Sequence, residues 1–255
     1  MEYTPDQIIK INQDKAAASQ ALTSEYRALV MEVVQKLQIE KAREYLNHGV
    51  GRRLKIIGRC LDRVFEIFPA DRQEVLTPDE VTDVEIHLHA FVINANGLLD
   101  NLAWVYILEK GLLETVGGHR GVGLFKRETQ ELLPTDVRAY LASDRMRSWN
   151  NEYAKDYRDA LAHRIPLYVP PAAIDPNDAE RHRQLDSEMF QAILAGDLEL
   201  ADSKKREQDS LQSVCLTAVH SYSESRMVWF HAQMVADANT VLAISQRMRP
   251  YFASV

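Results

Sequence analysis

Arg158 and His163 lie in the stretch Tyr157-Arg158-Asp159-Ala160-Leu161-Ala162-His163-Arg164-Ile165-Pro166, where they set a fixed cation and a titratable imidazole at the end of a predicted helix. That pair has the chemistry to cleave a phosphodiester without a metal. A histidine that titrates near neutrality serves as general acid or base. A guanidinium offers a planar fork of donors for phosphate oxygens and for the charge that builds on them in the transition state. On a helix turning by about 100° per residue, Asp159 and His163 share a face, while Arg158 and His163 stand about 140° apart. Asp159 is therefore expected to accept a hydrogen bond from the imidazole and fix its tautomer. The helix C-terminus also favours the imidazolium.

The bare spacing Arg-x4-His also occurs at Arg43 with His48 and at Arg226 with His231. Basic residues near a helix C-terminus are favourable for dipole reasons alone, so the spacing by itself is a weak signal. Three features separate the central pair from the others: Asp159 directly after the arginine, the small Ala160 and Ala162 that admit a neighbouring helix, and the exit enforced by Pro166. His231 falls inside a long predicted helix and is expected to be a satisfied core or interface histidine.

The elements that must position this pair are helices. Glycine and proline are scarce and fall between long segments of helical periodicity, so the chain is all-α, an up-and-down helical bundle. One segment runs from about Pro5 to Asn47, as two helices or one kinked helix, and is expected to end at Gly49 and Gly51. A second spans Leu54 to Phe68. Thr77-Pro78-Asp79-Glu80 is the clearest helix start, with a Thr cap, Pro at the first helical position and Glu three residues after the cap. That helix is expected to reach Lys110. Shorter helices follow over Thr135–Leu141 and Asp144–Arg164, and a long one over 214–248, stopping before Pro250. Residues 167–213 form an expected peripheral insertion or lid, with helices on either side of Gly196.

The chain has 255 residues, 46% of them hydrophobic, and a formal net charge of −7. It can bury a sizeable core as a single domain, and its acidity opposes general binding to nucleic acid or membrane surfaces. A polyanionic substrate would need a local patch. Cys60 and Cys215 give no framework for disulfides or zinc. Without a leader at the N-terminus or an apolar run of membrane-spanning length, the expected location is cytoplasmic.

Arg158-Asp159-Ala-Leu-Ala-His163 resembles the Arg, polar residue, x3, His motif of the HEPN superfamily, and the helices from about 77 to 166 resemble its bundle. The flanking helices 5–68 and the C-terminal helical extension fall outside that likeness. The resemblance implies a homodimer in which Arg158 and His163 of both subunits form a metal-independent endoribonuclease site, with Asp159 as the polar orienting residue. Many members act as toxins or in antiviral defence, which implies an antitoxin or other regulatory protein as partner. Others are inactive interaction modules, the alternative reading here. Ile165 stands where one toxin subgroup carries a tyrosine, so regulation by nucleotide transfer to that residue is not expected.

Around the motif, Lys155 and Arg164 are candidate RNA contacts. In the helix starting at Pro78, Asn94, Gly97 and Asn101 share a face, with Asp100 beside them. The stripe admits two readings: close helix packing at Gly97 with amides satisfied by a neighbour, or a second layer behind Arg158 with Asp100 as its carboxylate partner. His87 and His89 point to different sides of that helix, no Glu-x-x-His pair occurs, and no metal or other cofactor is expected. Gly117-Gly118-His119-Arg120-Gly121-Val122-Gly123 lacks the Lys-Ser/Thr ending of a phosphate loop and reads as a helix-to-helix connection, with His119 and Arg120 as outer contacts.

Overall fold

Two helices begin where the sequence supplies a capping box. Thr4 opens α1 (Pro5–Arg27) and Thr77 opens α4 (Pro78–Glu109); each hydroxyl accepts from the third helical amide, whose own side chain returns to the cap nitrogen. Between them lie α2 (Glu40–Glu44) and α3 (Gly51–Ile67). After α4 come α5 (Arg127–Gln130), α6 (Thr135–Leu141), α7 (Asp144–Trp149), α8 (Lys155–His163), α9 (Ala179–Leu194), α10 (Leu198–Ser210) and α11 (Phe230–Phe252). The computed structural model describes residues 3–219 and 227–253. The protein is an all-α helical bundle.

α4 is the central helix. Its buried face, which includes Val84, Leu88, Phe91, Leu98, Leu102 and Val105, packs against α3 on one side and α11 on the other, and α1 closes the bundle across α3 and α11. Phe68, Phe91, Phe230 and Phe252 are among the largest fully buried side chains in that core. α4 is the one helix among the described residues long and apolar enough to cross a membrane by composition, and 56% of its most apolar window is covered by protein. Cys60 and Cys215 are free thiols.

Gly49 and Gly51 do not end a helix. A π turn, Tyr45–Val50, joins α2 directly to α3, and both glycines sit inside one continuous helical path over 40–67. Their role is close approach: a Cβ on Gly49 would lie 2.8 Å from Cγ of Asn101, and one on Gly51 would lie 2.8 Å from a methyl of Val30. The break falls earlier, at 37–39, where the Glu109 carboxylate accepts from the amides of Gln38 (2.7 Å) and Ile39 (3.0 Å).

The last long helix also differs from expectation. It starts at Phe230 rather than near 214, and β3 (Thr217–Ala218) pairs antiparallel with β4 (Val228–Trp229). Val214, Leu216 and Ala218 reach the core by alternation along an extended chain. α11 continues through Pro250 to Phe252, since a proline in the last turn forfeits a single backbone hydrogen bond. β1 (Ala173–Ile174) pairs with β2 (Gln212–Ser213), and the segment between them is the hairpin of α9 and α10.

Candidate functional site

The motif occupies the end of a helical path running over 144–163, in which α7, a π turn at Asn150–Ala154 and α8 follow without a gap. α8 ends at His163, and Arg164 has left the helical region with φ −131° and ψ −151°. Ala154, Tyr157 and Ala160 are the buried positions, so this face lies on the protein while Ala162 and His163 face outward. Ala160 is fully buried and permits the close approach to α4, whereas Ala162 is exposed.

Four polar contacts fix this path on the bundle. Trp149 Nε1 donates to buried Asp237 of α11 at 2.7 Å, and Asn96 Nδ2 of α4 donates to the Ala154 carbonyl at 3.0 Å. Beyond the motif, His89 Nε2 bonds the carbonyl of Leu167, and the amide of Val169 donates to Glu85 at 3.0 Å. His89 is thus spoken for by the exit segment. Neither Asn96 nor Glu85 was picked out by the sequence reading, because the motif has no local pattern that names its anchors. The only signal was a third asparagine in an apolar helix.

The motif side chains adopt a pairing that helix spacing did not predict. Arg158 donates from Nε (2.9 Å) and Nη2 (2.6 Å) to one oxygen of Asp159, with the arginine side chain 41% exposed and the aspartate 32%. Asp159 therefore orients Arg158, and no hydrogen bond joins it to His163. A permanent cation one residue away makes a charge-assisted bond with that carboxylate. Nη1 of Arg158 and both ring nitrogens of exposed His163 make no hydrogen bond among the described residues. Arg164 turns back to Asp156, donating to its carbonyl at 2.9 Å and its carboxylate at 2.5 Å. Lys155 is exposed on the first turn of α8.

The polar stripe of α4 serves a different arginine. Arg53 of α3 donates from Nε to Asn101 Oδ1 at 2.9 Å and from Nη1 to Asn94 Oδ1 at 3.1 Å. A Cβ on Gly97 would fall 2.3 Å from Cζ of Arg53, so the glycine is the floor on which the guanidinium lies. Asn94 and Asn101 accordingly do not stand behind Arg158, since α3 covers that face of α4 first. Asp100 lies near enough to both arginines to feel their charge, but no hydrogen bond or ion pair joins it to either among the described residues. Although its surface is partly open, loss of water around the carboxyl raises its pKa, an effect opposed by the charges of Arg158, Lys126 and Arg53 in that order.

The glycine-rich loop is closed on itself. Thr129, fully buried, accepts from the amide of Gly123 at 3.0 Å and donates to the carbonyl of Gly121 at 2.7 Å, while the Gly121 amide bonds Gly118. Its amides therefore do not form a phosphate cradle. His119 packs edge-on against Trp104 at 5.1 Å, and Arg120 is exposed.

In the other two Arg-x4-His matches, Arg43 and His231 are each engaged by backbone carbonyls. Arg43 donates to the carbonyls of Leu37 (2.9 Å) and Gln38 (3.2 Å), closing the break before α2. His231 is a core histidine, with Nε2 on the Phe68 carbonyl at 2.6 Å and its ring among Phe65, Phe68 and Phe230. Arg226 lies outside the described residues. Comparisons with known protein families, with curated proteins and with solved structures gave no match for this chain.

Proposed function

We propose that the protein is a metal-independent endoribonuclease of HEPN type acting in the cytoplasm as a homodimer, with Arg158 and His163 as its catalytic residues. The observation that supports this best is the open placement of the two side chains on a helix anchored at both ends. Both project from one short helix whose flanking residues, Ala154 before it and Leu167 and Val169 after it, are held by Asn96, His89 and Glu85, and His163 has both ring nitrogens available. In this reading an imidazole takes the proton of a ribose 2′-hydroxyl, and the 2′-oxygen attacks the adjacent phosphorus. The bond from phosphorus to the 5′-oxygen breaks, and an imidazole returns a proton to that leaving oxygen. The products are a 2′,3′-cyclic phosphate and a 5′-hydroxyl. Nη1 of Arg158 meets the charge on the phosphorane, and Asp159 acts as a positioning residue that holds the guanidinium. Lys155 and Arg164 contact the RNA backbone, and a regulatory partner such as an antitoxin restrains a toxin or defence effector of this kind.

The test is cleavage of labelled single-stranded RNA and tRNA in EDTA. Wild type should cut, and His163→Ala, shown to keep its fold and oligomeric state, should cut at least about a hundredfold more slowly. Equal cutting by both proteins would remove His163 from the mechanism. The second reading, a non-catalytic interaction module, is favoured by the Arg158–Asp159 pair, which partly neutralises the cation. It predicts no cleavage by either protein, and a change of assembly in Arg158→Ala.

A further inference from the structure

On the face of α4 turned toward α3, a pocket of about 440 Å³ lies outside the motif, lined by Tyr45, His48, Arg52, Arg53, Asn94 and Asn101 with their neighbours. Its volume is that of small-molecule sites. Its chemistry is basic in a chain of net charge −7. Half-buried Arg53 spends Nε and Nη1 on two neutral amide oxygens, and its Nη2 has no partner among the described residues. Among the described residues no carboxylate pairs with it at ion-pair distance. The negative charge it feels from Asp100 is one that Arg158 and Lys126 share. A half-buried guanidinium without a counter-ion is unfavourable, and here two glycines and two asparagines are arranged to keep it in place.

The residues beside Arg53 extend the same preference. Arg52 Nη2 contacts His48 Nδ1 at 3.2 Å. Arginine can only donate, so Nδ1 is the acceptor and Nε2 of His48 is left carrying a proton to give. Arg52 also has no carboxylate at ion-pair distance among the described residues. Lys41 and Glu44 also line the pocket and pair with each other at 2.7 Å, so together they add no net charge. Next to these donors Tyr45 stacks on Trp104, with ring centroids 5.3 Å apart and planes 18° apart, and Trp104 meets His119 edge-on. The wall bearing Tyr45, His48 and Gly49 is the π turn between α2 and α3, a departure from regular helix often found at functional sites.

We propose that this pocket binds the phosphomonoester of a nucleotide, with Arg52, Arg53 and His48 on the phosphate oxygens and Tyr45, backed by Trp104, beside the base. Two guanidinia match a phosphate dianion, whereas a carboxylate would satisfy only one. The aromatic pair favours a nucleotide over inorganic phosphate. Two sources offer this chemistry, a free mononucleotide and the 5′-phosphorylated end of an RNA.

The proposal stands apart from the nuclease reading, so the test uses His163→Ala protein, in which a failure of cleavage has no bearing on binding. AMP, adenosine, inorganic phosphate, and a short RNA with either a 5′-phosphate or a 5′-hydroxyl are titrated by calorimetry. AMP should bind more tightly than adenosine or inorganic phosphate. If only the RNA discriminates, the 5′-phosphorylated form binding better, the source is an RNA end and the proposal holds. Gly97→Ala is the decisive variant. Alanine is the better helix former, so the fold should persist by circular dichroism, while its Cβ displaces the Arg53 guanidinium. Binding should fall about tenfold or more in Gly97→Ala and in Arg52→Gln. Phosphorylated and unphosphorylated ligands binding alike, or variants that bind as the parent does, would overturn it.

Discussion

Asp237 and His231, both buried on α11, titrate in opposite senses. Burial pushes the Asp237 carboxyl up to about 7 from 3.8, against the hydrogen bonds from Trp149 and Gln233, and pushes the His231 imidazole down to about 4 from 6.5. Between pH 4 and 7 the native state therefore holds one proton on Asp237 that the unfolded chain has released. Stability from this group is complete below about pH 4 and falls by about 1.4 kcal/mol per unit as pH rises to 7. His231 does the reverse: between pH 4 and 6.5 the unfolded chain holds the extra proton, and stability rises with pH at the same slope. From pH 4 to 6.5 the two nearly cancel. Asp237→Asn keeps an Oδ1 to accept from Trp149 and Gln233, both of which use that atom, and removes only the carboxyl's titration. Urea melts at pH 4.5, 5.5 and 6.5 should then show a variant losing about 1 kcal/mol or more per unit as pH falls, against a nearly flat wild type. Parallel curves for the two proteins would show that Asp237 is ionised in the native state throughout.

At the scale of elements, the motif helix is only as well placed as its anchors. Asn96 gives its amide hydrogens to Val92 and Ala154, joining α4 to the π turn that leads into α8. Asn96→Ala leaves the buried carbonyl of Ala154 without this donor, which costs about 1 to 2 kcal/mol. Amide exchange should quicken over 150–163 and stay unchanged in α1; a uniform change across the chain would mean that the contact holds no particular helix. What the sequence made legible follows the same local logic. Thr77-Pro78-Asp79-Glu80 named the start of α4 because a capping box is closed within one turn, and the path over 144–163 ended where Pro166 required an exit. The partner of a polar face is not local. Asn94 and Asn101 were recognisable as a stripe in need of partners, yet periodicity could not say that Arg53 rather than Arg158 would supply them. The same holds for Gly49 and Gly51, where the need for close packing outweighed a weak helix propensity, and for Asp159, whose nearest competitor for a bond was the residue before it.

For the whole molecule, the hairpin of α9 and α10 stands apart from the bundle energetically. Its buried apolar residues Leu185, Ala192 and Ala201 lie outside the main hydrophobic cluster, and its two helices pack chiefly on each other. Ion pairs of Arg181 with Glu207 and of Lys204 with Glu188 tie one helix to the other rather than to the body. Around its turn at Gly196, Phe190, Ile193, Leu194, Leu198 and Leu200 are all exposed. The two strands at its base pair Ala173 with Ser213 and Ile174 with Gln212, so the chain enters and leaves at one point. Replacing 176–210 by a short Gly-Ser link therefore closes a gap the fold has already closed, and loop closure at that length adds little cost. The shortened protein should keep its helical circular dichroism and melt within a few degrees of the parent, about what a change below 1 kcal/mol produces in a chain this size. It should also be more soluble, having lost the exposed apolar tip. A collapse of the melting transition would mean instead that the hairpin supports the exit segment after His163, and with it the geometry of the motif.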